Sequence, residues 1–172
     1  MIGVVLLAAV QAQAEQASLY EKFSRAKETT VSVSLPTDAS TDKKIDVQVL
    51  KTEIEKALEA RKSVRLKPVA DASQAQIVVD AEVNGFQYRD EDPVDMIMGA
   101  GPIAMDAIKK EHFVTTEVTF TVKDRAAGTV LWKDKLRGSV TDAAMSEAES
   151  PAKVSERISE IFVREAFGRK KK

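Results

Sequence analysis

The chain contains no cysteine among its 172 residues, and this absence removes several classes of chemistry at once. Without cysteine there is no disulfide framework, no thiolate nucleophile and no zinc–thiolate site. The lipid anchor of bacterial lipoproteins, which is attached to a cysteine just after the export signal, is excluded as well. Net charge is also lacking, because 26 Lys and Arg residues are balanced by 27 Asp and Glu residues. Nonspecific binding to nucleic acid is therefore not expected.

Histidine is nearly absent too, and the single one, His112, has no Ser or Cys nucleophile motif near it in the sequence. We therefore interpret His112 as a residue at the start of a strand, on the same side as Val114 and Val118, and not as a catalyst. The alternative is a hydrolase that uses acidic residues near His112, such as Asp90 and Glu91. That enzyme would need a carboxylate with a raised pKa in a concave pocket.

Neither a metal nor a cofactor is predicted. The acidic run lacks the Asp-x-Asp-x-Asp-Gly spacing of a calcium loop and is interpreted as a solvated loop; its members are Asp90, Glu91, Asp92 and Asp95. Residues 99–102, Gly-Ala-Gly-Pro, do not follow a strand as a phosphate-binding loop does, and no Lys-Ser/Thr pair comes after them. A nucleotide site is thereby excluded.

The beginning of the chain resembles an export signal. An uncharged apolar run over residues 2–10 precedes Ala12-Gln13-Ala14, the small-x-small pattern that signal peptidase accepts. The basic segment that normally comes first is missing, so a truncated start is the alternative to a complete one. The run is shorter than the roughly 20 apolar residues that span a bilayer. We predict a signal peptide over residues 1–14, a mature start at Glu15 and a soluble periplasmic or secreted protein.

Residues 15–172 are predicted to form a single domain with a basic tail at 169–172. Alternation with a period of two predicts strands over residues 29–35, 63–69, 77–88, 111–124 and 129–140. Apolar spacings of three and four predict helices over residues 43–62 and from residue 150 onward. The order β-α-β-β-(insert)-β-β-α predicts an α+β two-layer sandwich, in which two helices cover one face of an antiparallel or mixed sheet of about five strands.

The same patterns predict side-chain positions. The apolar faces of the first and last strands are Val31, Val33 and Leu35, and Val130, Trp132 and Leu136. A bulge at Gly85 is expected to turn Phe86 and Tyr88 inward. The first long helix is expected to be capped by Thr41 or Asp42, and the second by Ser150 with Pro151 as its first residue.

The solvent face of the sheet carries charges of both signs on neighbouring strands. Three basic residues of the last strand, Lys133, Lys135 and Arg137, face acidic residues of the two preceding strands, Asp80, Glu82 and Glu117. We favour a solubilising face with cross-strand pairs, each contributing a few tenths of a kcal/mol. The alternative is a basic stripe that binds an anionic envelope component.

Residues 92–110 interrupt two strands with a segment rich in methionine and glycine. Its large apolar residues need cover, and they are Met96, Ile97, Met98, Ile103, Met105 and Ile108. One interpretation is a flap over the end of the core, because methionine fills irregular gaps. The other is a contact surface for an envelope protein or lipid, since long loops in compact domains are often functional. We predict the contact surface.

Two stretches carry a resemblance to known families. Residues 75–83 are Ala-Gln-Ile-Val-Val-Asp-Ala-Glu-Val, and residues 118–132 are Val-Thr-Phe-Thr-Val-Lys-Asp-Arg-Ala-Ala-Gly-Thr-Val-Leu-Trp. They are similar to a strand and hairpin in the LptE-like lipopolysaccharide-assembly family, and in penicillin-binding-protein activator and curli-secretion lipoproteins. Gln76 replaces a usual aspartate, and the lipobox cysteine is absent. The resemblance implies a non-enzymatic periplasmic accessory protein that binds or positions an envelope component, in lipopolysaccharide transport or outer-membrane assembly.

Overall fold

A computed structural model describes residues 19–91 and 111–169 of the chain. In these ranges the helices are α1 (Tyr20–Phe23), α2 (Val47–Glu59) and α3 (Ser150–Phe167). The strands are β1 (Thr29–Val33), β2 (Thr37–Asp38), β3 (Leu66–Pro68), β4 (Ile77–Glu91), β5 (Glu111–Asp124) and β6 (Val130–Asp142). The predicted order of five strands and two long helices is confirmed, whereas α1 and β2 are too short to show a period in the sequence.

The strands form one mixed sheet in the order β3-β1-β4-β5-β6, and β2 pairs with β4 just beyond β1. β1 runs parallel to β3 and β4, because the connection from β1 to β3 passes through α2. β4, β5 and β6 are antiparallel neighbours. The predicted α+β class with a mixed sheet is therefore confirmed.

The core lies between the sheet and the two long helices, and Phe162 of α3 is at its centre. The Phe162 ring stacks on Phe120 with centroids 4.3 Å apart, and it lies 5.8 Å from Trp132 and 6.1 Å from Phe167. Aromatic pairs of this kind add about 0.5–1.5 kcal/mol beyond their burial. Trp132 is buried under the helix layer, as its place in the alternating pattern predicts.

Two predicted inward residues are exposed instead. Val130 is 54% exposed because a bulge in the β5–β6 pairing sets Trp132 opposite Val122 but Val130 opposite Lys123. The prediction for Val130 was wrong, since one extra residue moves a side chain to the other face. Leu35 is 51% exposed because β1 ends at Val33. The predicted bulge at Gly85 is confirmed by a register shift between Val83 and Gly85.

The cap predicted for α2 was wrong by several residues, and the cap predicted for α3 was wrong by one, although Pro151 does lie in the first turn of α3. α2 is capped by Asp46, whose Oδ1 accepts hydrogen bonds from the amides of Gln48 at 2.8 Å and Val49 at 3.3 Å. Ile45, directly before this cap, is buried in the core and fixes where the helix begins. α3 begins at Ser150, whose hydroxyl donates to the carbonyl of Glu147 and caps nothing.

Candidate functional site

The part of the sheet nearest residues 92–110 is here called the sheet extension, namely β4 from Gly85, β5 up to Thr116 and β6 from Gly138. β1 and β2 pair with β4 only as far as Val83, so within the described residues the extension consists of β4, β5 and β6 alone. Pairing of β4 with β5 continues without a gap to Glu91 and Glu111. Glu91 and Glu111, which flank residues 92–110 in the sequence, are therefore held side by side.

The six residues predicted as a partner-binding surface lie outside the described residues, and their role stays a prediction. They are Met96, Ile97, Met98, Ile103, Met105 and Ile108. The structure does describe the ends of β4 and β5, which flank these residues in the sequence. A group of polar side chains lies at these strand ends.

The hairpin-end cluster consists of Tyr88, Asp90, His112, Asp142 and Lys153. Asp90, His112 and Asp142 are register partners on three successive strands, with His112 in the middle. The Nδ1 atom of His112 lies 2.8 Å from the Tyr88 hydroxyl and 3.1 Å from Asp90 Oδ1. The Tyr88 and His112 rings are stacked at 6.0 Å. Lys153 of α3 donates to Asp142 Oδ2 at 2.5 Å.

The electrostatics keep the Asp142–Lys153 pair of this cluster charged at neutral pH. The hydrogen bond from Lys153, together with one from the Ala144 amide, holds the pKa of Asp142 below its ordinary value. The same bond raises the pKa of Lys153. Partial burial raises the pKa of Tyr88, and the neighbouring carboxylates of Asp90 and Glu147 raise it further. Tyr88 therefore stays protonated and can donate a hydrogen bond.

The structure thus brings together two residues of the hydrolase alternative, Asp90 and His112. A histidine held at one ring nitrogen by a carboxylate is the arrangement of a general base. Within residues 19–91 and 111–169, however, no Ser or Thr hydroxyl is hydrogen-bonded to His112, and Nε2 has no hydrogen-bond partner. As described, the cluster can hold or transfer a proton and can tie strands together.

The predicted basic residues on the solvent face, Lys133, Lys135 and Arg137, are all exposed. Lys135 forms an ion pair with Glu117 at 2.6 Å, and Arg137 is the register partner of the same glutamate. The hydrogen bond from Lys135 lowers the pKa of Glu117, with a smaller contribution from Arg137. A second cross-strand pair joins Lys123 to Asp80 at 2.7 Å. These pairs agree with the solubilising face, and an anionic ligand there stays a prediction.

A groove of ≈ 470 Å³ lies between α2 and α3. None of the site residues predicted from the sequence lines it. Ala57, Ala60 and Val163 are among the residues that line it, together with charged residues of both helices. Two of these charges are paired within their own helix, Lys56 with Glu53 and Arg157 with Glu160. The groove shares no residue with the hairpin-end cluster.

Within residues 19–91 and 111–169, no three His, Asp or Glu residues are grouped so as to hold a metal ion. Among the same residues, no helix is both long enough and apolar enough to cross a membrane.

Three members of the cluster were not predicted from the sequence as site residues. Tyr88 is a half-buried aromatic residue, Asp142 lies beyond the predicted end of the last strand, and Lys153 belongs to the first turns of α3. The strand register brings Tyr88 and Asp142 to His112, and the position of α3 on the sheet brings Lys153 to Asp142. Alternation alone placed His112 on the correct side but gave no partner for it.

No family model matches the chain, and no curated protein matches it either. Among solved structures, protein XCC0632 from Xanthomonas campestris, of family DUF330, is similar with a TM-score of 0.50 and 10% identity, over 79% of this chain and 82% of that one. The PelC dodecamer from Paraburkholderia phytofirmans has a TM-score of 0.47 and 14% identity, over 78% and 89% of the two chains. A minor lipoprotein from Acinetobacter baumannii has a TM-score of 0.43 and 16% identity, over 79% and 90%. At these identities the likeness to XCC0632 is one of fold.

Proposed function

We propose that this protein is a non-enzymatic accessory protein of the bacterial cell envelope, which binds or positions another envelope component through residues 92–110. The observation that carries the proposal is the unbroken pairing of β4 with β5 up to Glu91 and Glu111. Because Glu91 and Glu111 are register partners, the chain leaves the paired ladder at Glu91 and re-enters it opposite, at Glu111. The residues that flank 92–110 on both sides therefore lie together at the end of the β4–β5 hairpin.

This end of the hairpin is braced from three sides. The Asp90–His112 contact joins β4 to β5, Asp142 lies opposite His112 on β6, and Lys153 connects Asp142 to α3. Fixed positions for the flanking residues reduce the ordering entropy that association through residues 92–110 would cost. Methionine side chains are suited to the contact itself because they adapt to irregular apolar surfaces.

The envelope assignment is supported by the sequence. The export-signal pattern of residues 1–14 and the resemblance to LptE-like, penicillin-binding-protein activator and curli-secretion proteins point to the same compartment. If the LptE-like resemblance extends to function, the bound component is the lipopolysaccharide-transport barrel or lipopolysaccharide itself.

Site-specific photo-crosslinking in the native host tests this proposal. A photoreactive amino acid at position 98 or 103 should give one dominant adduct in envelope fractions. The same amino acid at position 126, in the exposed turn between β5 and β6 at the opposite end of the sheet, is the matched control. Equal crosslinking from the segment and from the turn would contradict the proposal.

A hydrolase remains the second candidate because Asp90 Oδ1 lies 3.1 Å from His112 Nδ1. This function predicts turnover of envelope-derived esters or glycosides that falls by about 10²-fold or more in the His112→Gln variant, as loss of a general base does. The crosslinking adducts should be unaffected by that substitution. If the activity survives in His112→Gln, the Asp90–His112 pair takes no part in the reaction.

A further inference from the structure

The hairpin-end cluster contains a histidine nitrogen with two competing partners. Nδ1 of His112 lies within hydrogen-bond distance of both the Tyr88 hydroxyl and the Asp90 carboxylate. A neutral imidazole nitrogen carries either one lone pair or one N–H, so it accepts from the phenol or donates to the carboxylate. Both bonds cannot be made at once through a single proton or a single lone pair.

We propose that His112 is a proton-operated latch whose Nδ1 exchanges Tyr88 for Asp90 as its partner when the ring becomes charged. In the neutral ring, Nε2 carries the proton and Nδ1 accepts the hydrogen bond that Tyr88 donates. When a proton from solvent adds to Nδ1, the Tyr88 O–H loses its acceptor and Nδ1–H donates to Asp90 Oδ1. The inference does not depend on what residues 92–110 bind.

The surroundings of His112 favour this exchange from both neighbouring strands. Asp90 on β4 and Asp142 on β6 place a carboxylate on either side of the ring. The other charged or titratable groups near the cluster are Tyr88 on β4, Lys153 on α3, and Glu147 and Glu149 in the turn before α3. Lys153 already satisfies Asp142, so Asp90 is the carboxylate left to receive the Nδ1 proton.

The latch lies next to the residues that flank segment 92–110. Asp90 and His112 are the register pair directly before Glu91 and Glu111, which lead into residues 92–110. Charging the ring therefore adds an ion pair across the last described rungs of the ladder.

The experiment is imidazole ¹⁵N NMR, for which a chain with one histidine is well suited. Above the titration, the native chain should show the Nε2–H tautomer. In Tyr88→Phe, Asp90 is the remaining partner and the ratio should shift toward Nδ1–H by about fivefold or more, as one hydrogen bond allows. Tyr20→Phe, which changes the other tyrosine, should leave the ratio unchanged.

Below the titration, the Nδ1 proton should resonate far downfield in the native chain and in Tyr88→Phe, because it is bonded to a carboxylate. In Asp90→Asn that downfield shift should be lost, while backbone spectra confirm that the variant is folded. Identical tautomer ratios in the native chain and Tyr88→Phe would overturn the latch. An Nδ1 proton shift unchanged by Asp90→Asn would overturn it equally.

Discussion

The sheet before the Val83–Gly85 bulge and the sheet extension beyond it are stabilised in different ways. Before the bulge the inner face is a close-packed layer of fully buried residues, such as Val79, Val122 and Phe120. In the extension Val114 is still buried, but Phe86 and Tyr88 are only half-buried and polar groups such as His112 continue the inner face. The first part gains stability from apolar burial, and the second from specific pairs between neighbouring strands.

The largest effect is expected where the first part is most aromatic. Trp132→Ala removes a buried ring that packs on Phe162, and it should lower the free energy of unfolding by about 3–5 kcal/mol. His112→Gln in the extension should cost less than about 1 kcal/mol, since it exchanges one partly exposed polar side chain for another. Urea denaturation of both variants checks this. Equal losses of unfolding free energy would show that the two parts of the sheet are not stabilised in different ways.

A smaller effect tests how the extension is attached to α3. A Cβ added at Gly138 would lie 3.0 Å from Ile158 Cβ and 3.3 Å from the Ile158 Cα, so Ile158 must give way slightly. Gly138→Ala should therefore destabilise by about 1–3 kcal/mol. Gly85→Ala is the matched control in the same sheet, because a Cβ there meets nothing within 4 Å. Thermal melts of the two variants should differ clearly, and similar melting midpoints would mean that α3 does not press on β6.

The smallest effect is the contribution of the Asp142–Lys153 pair to acid stability. Because the pKa of Asp142 is lowered in the folded chain, the stability it contributes is present above its unfolded value near 4 and is lost as pH falls through the lowered value. The native chain should lose more of its urea midpoint between about pH 5 and 3 than Asp142→Asn does. Parallel curves would show that the pair contributes nothing, as exposed pairs often do.

The difference between the two parts of the sheet also explains which features could be predicted from the sequence. Alternation and helical spacing locate β4, β5, β6, α2 and α3, because burial of one face imposes those periods on the residues. They fail where one residue decides the outcome, as with Val130 beside a bulge and Asp46 in place of an earlier cap. The hairpin-end cluster depends on the register of three strands, which the pattern of a single strand does not contain.

A triple variant separates contact of residues 92–110 with a partner from a role of these residues in covering the core. Changing Met96, Met98 and Met105 to glutamine should abolish the adduct that is photo-crosslinked from position 103. The melting midpoint should move by less than about 2 °C, because side chains that are exposed in the free protein contribute little to folding. If these residues instead cover the core, each loses about 1.5–3 kcal/mol of apolar burial and the midpoint falls steeply. An early-melting variant whose folded fraction still forms the adduct would contradict the account.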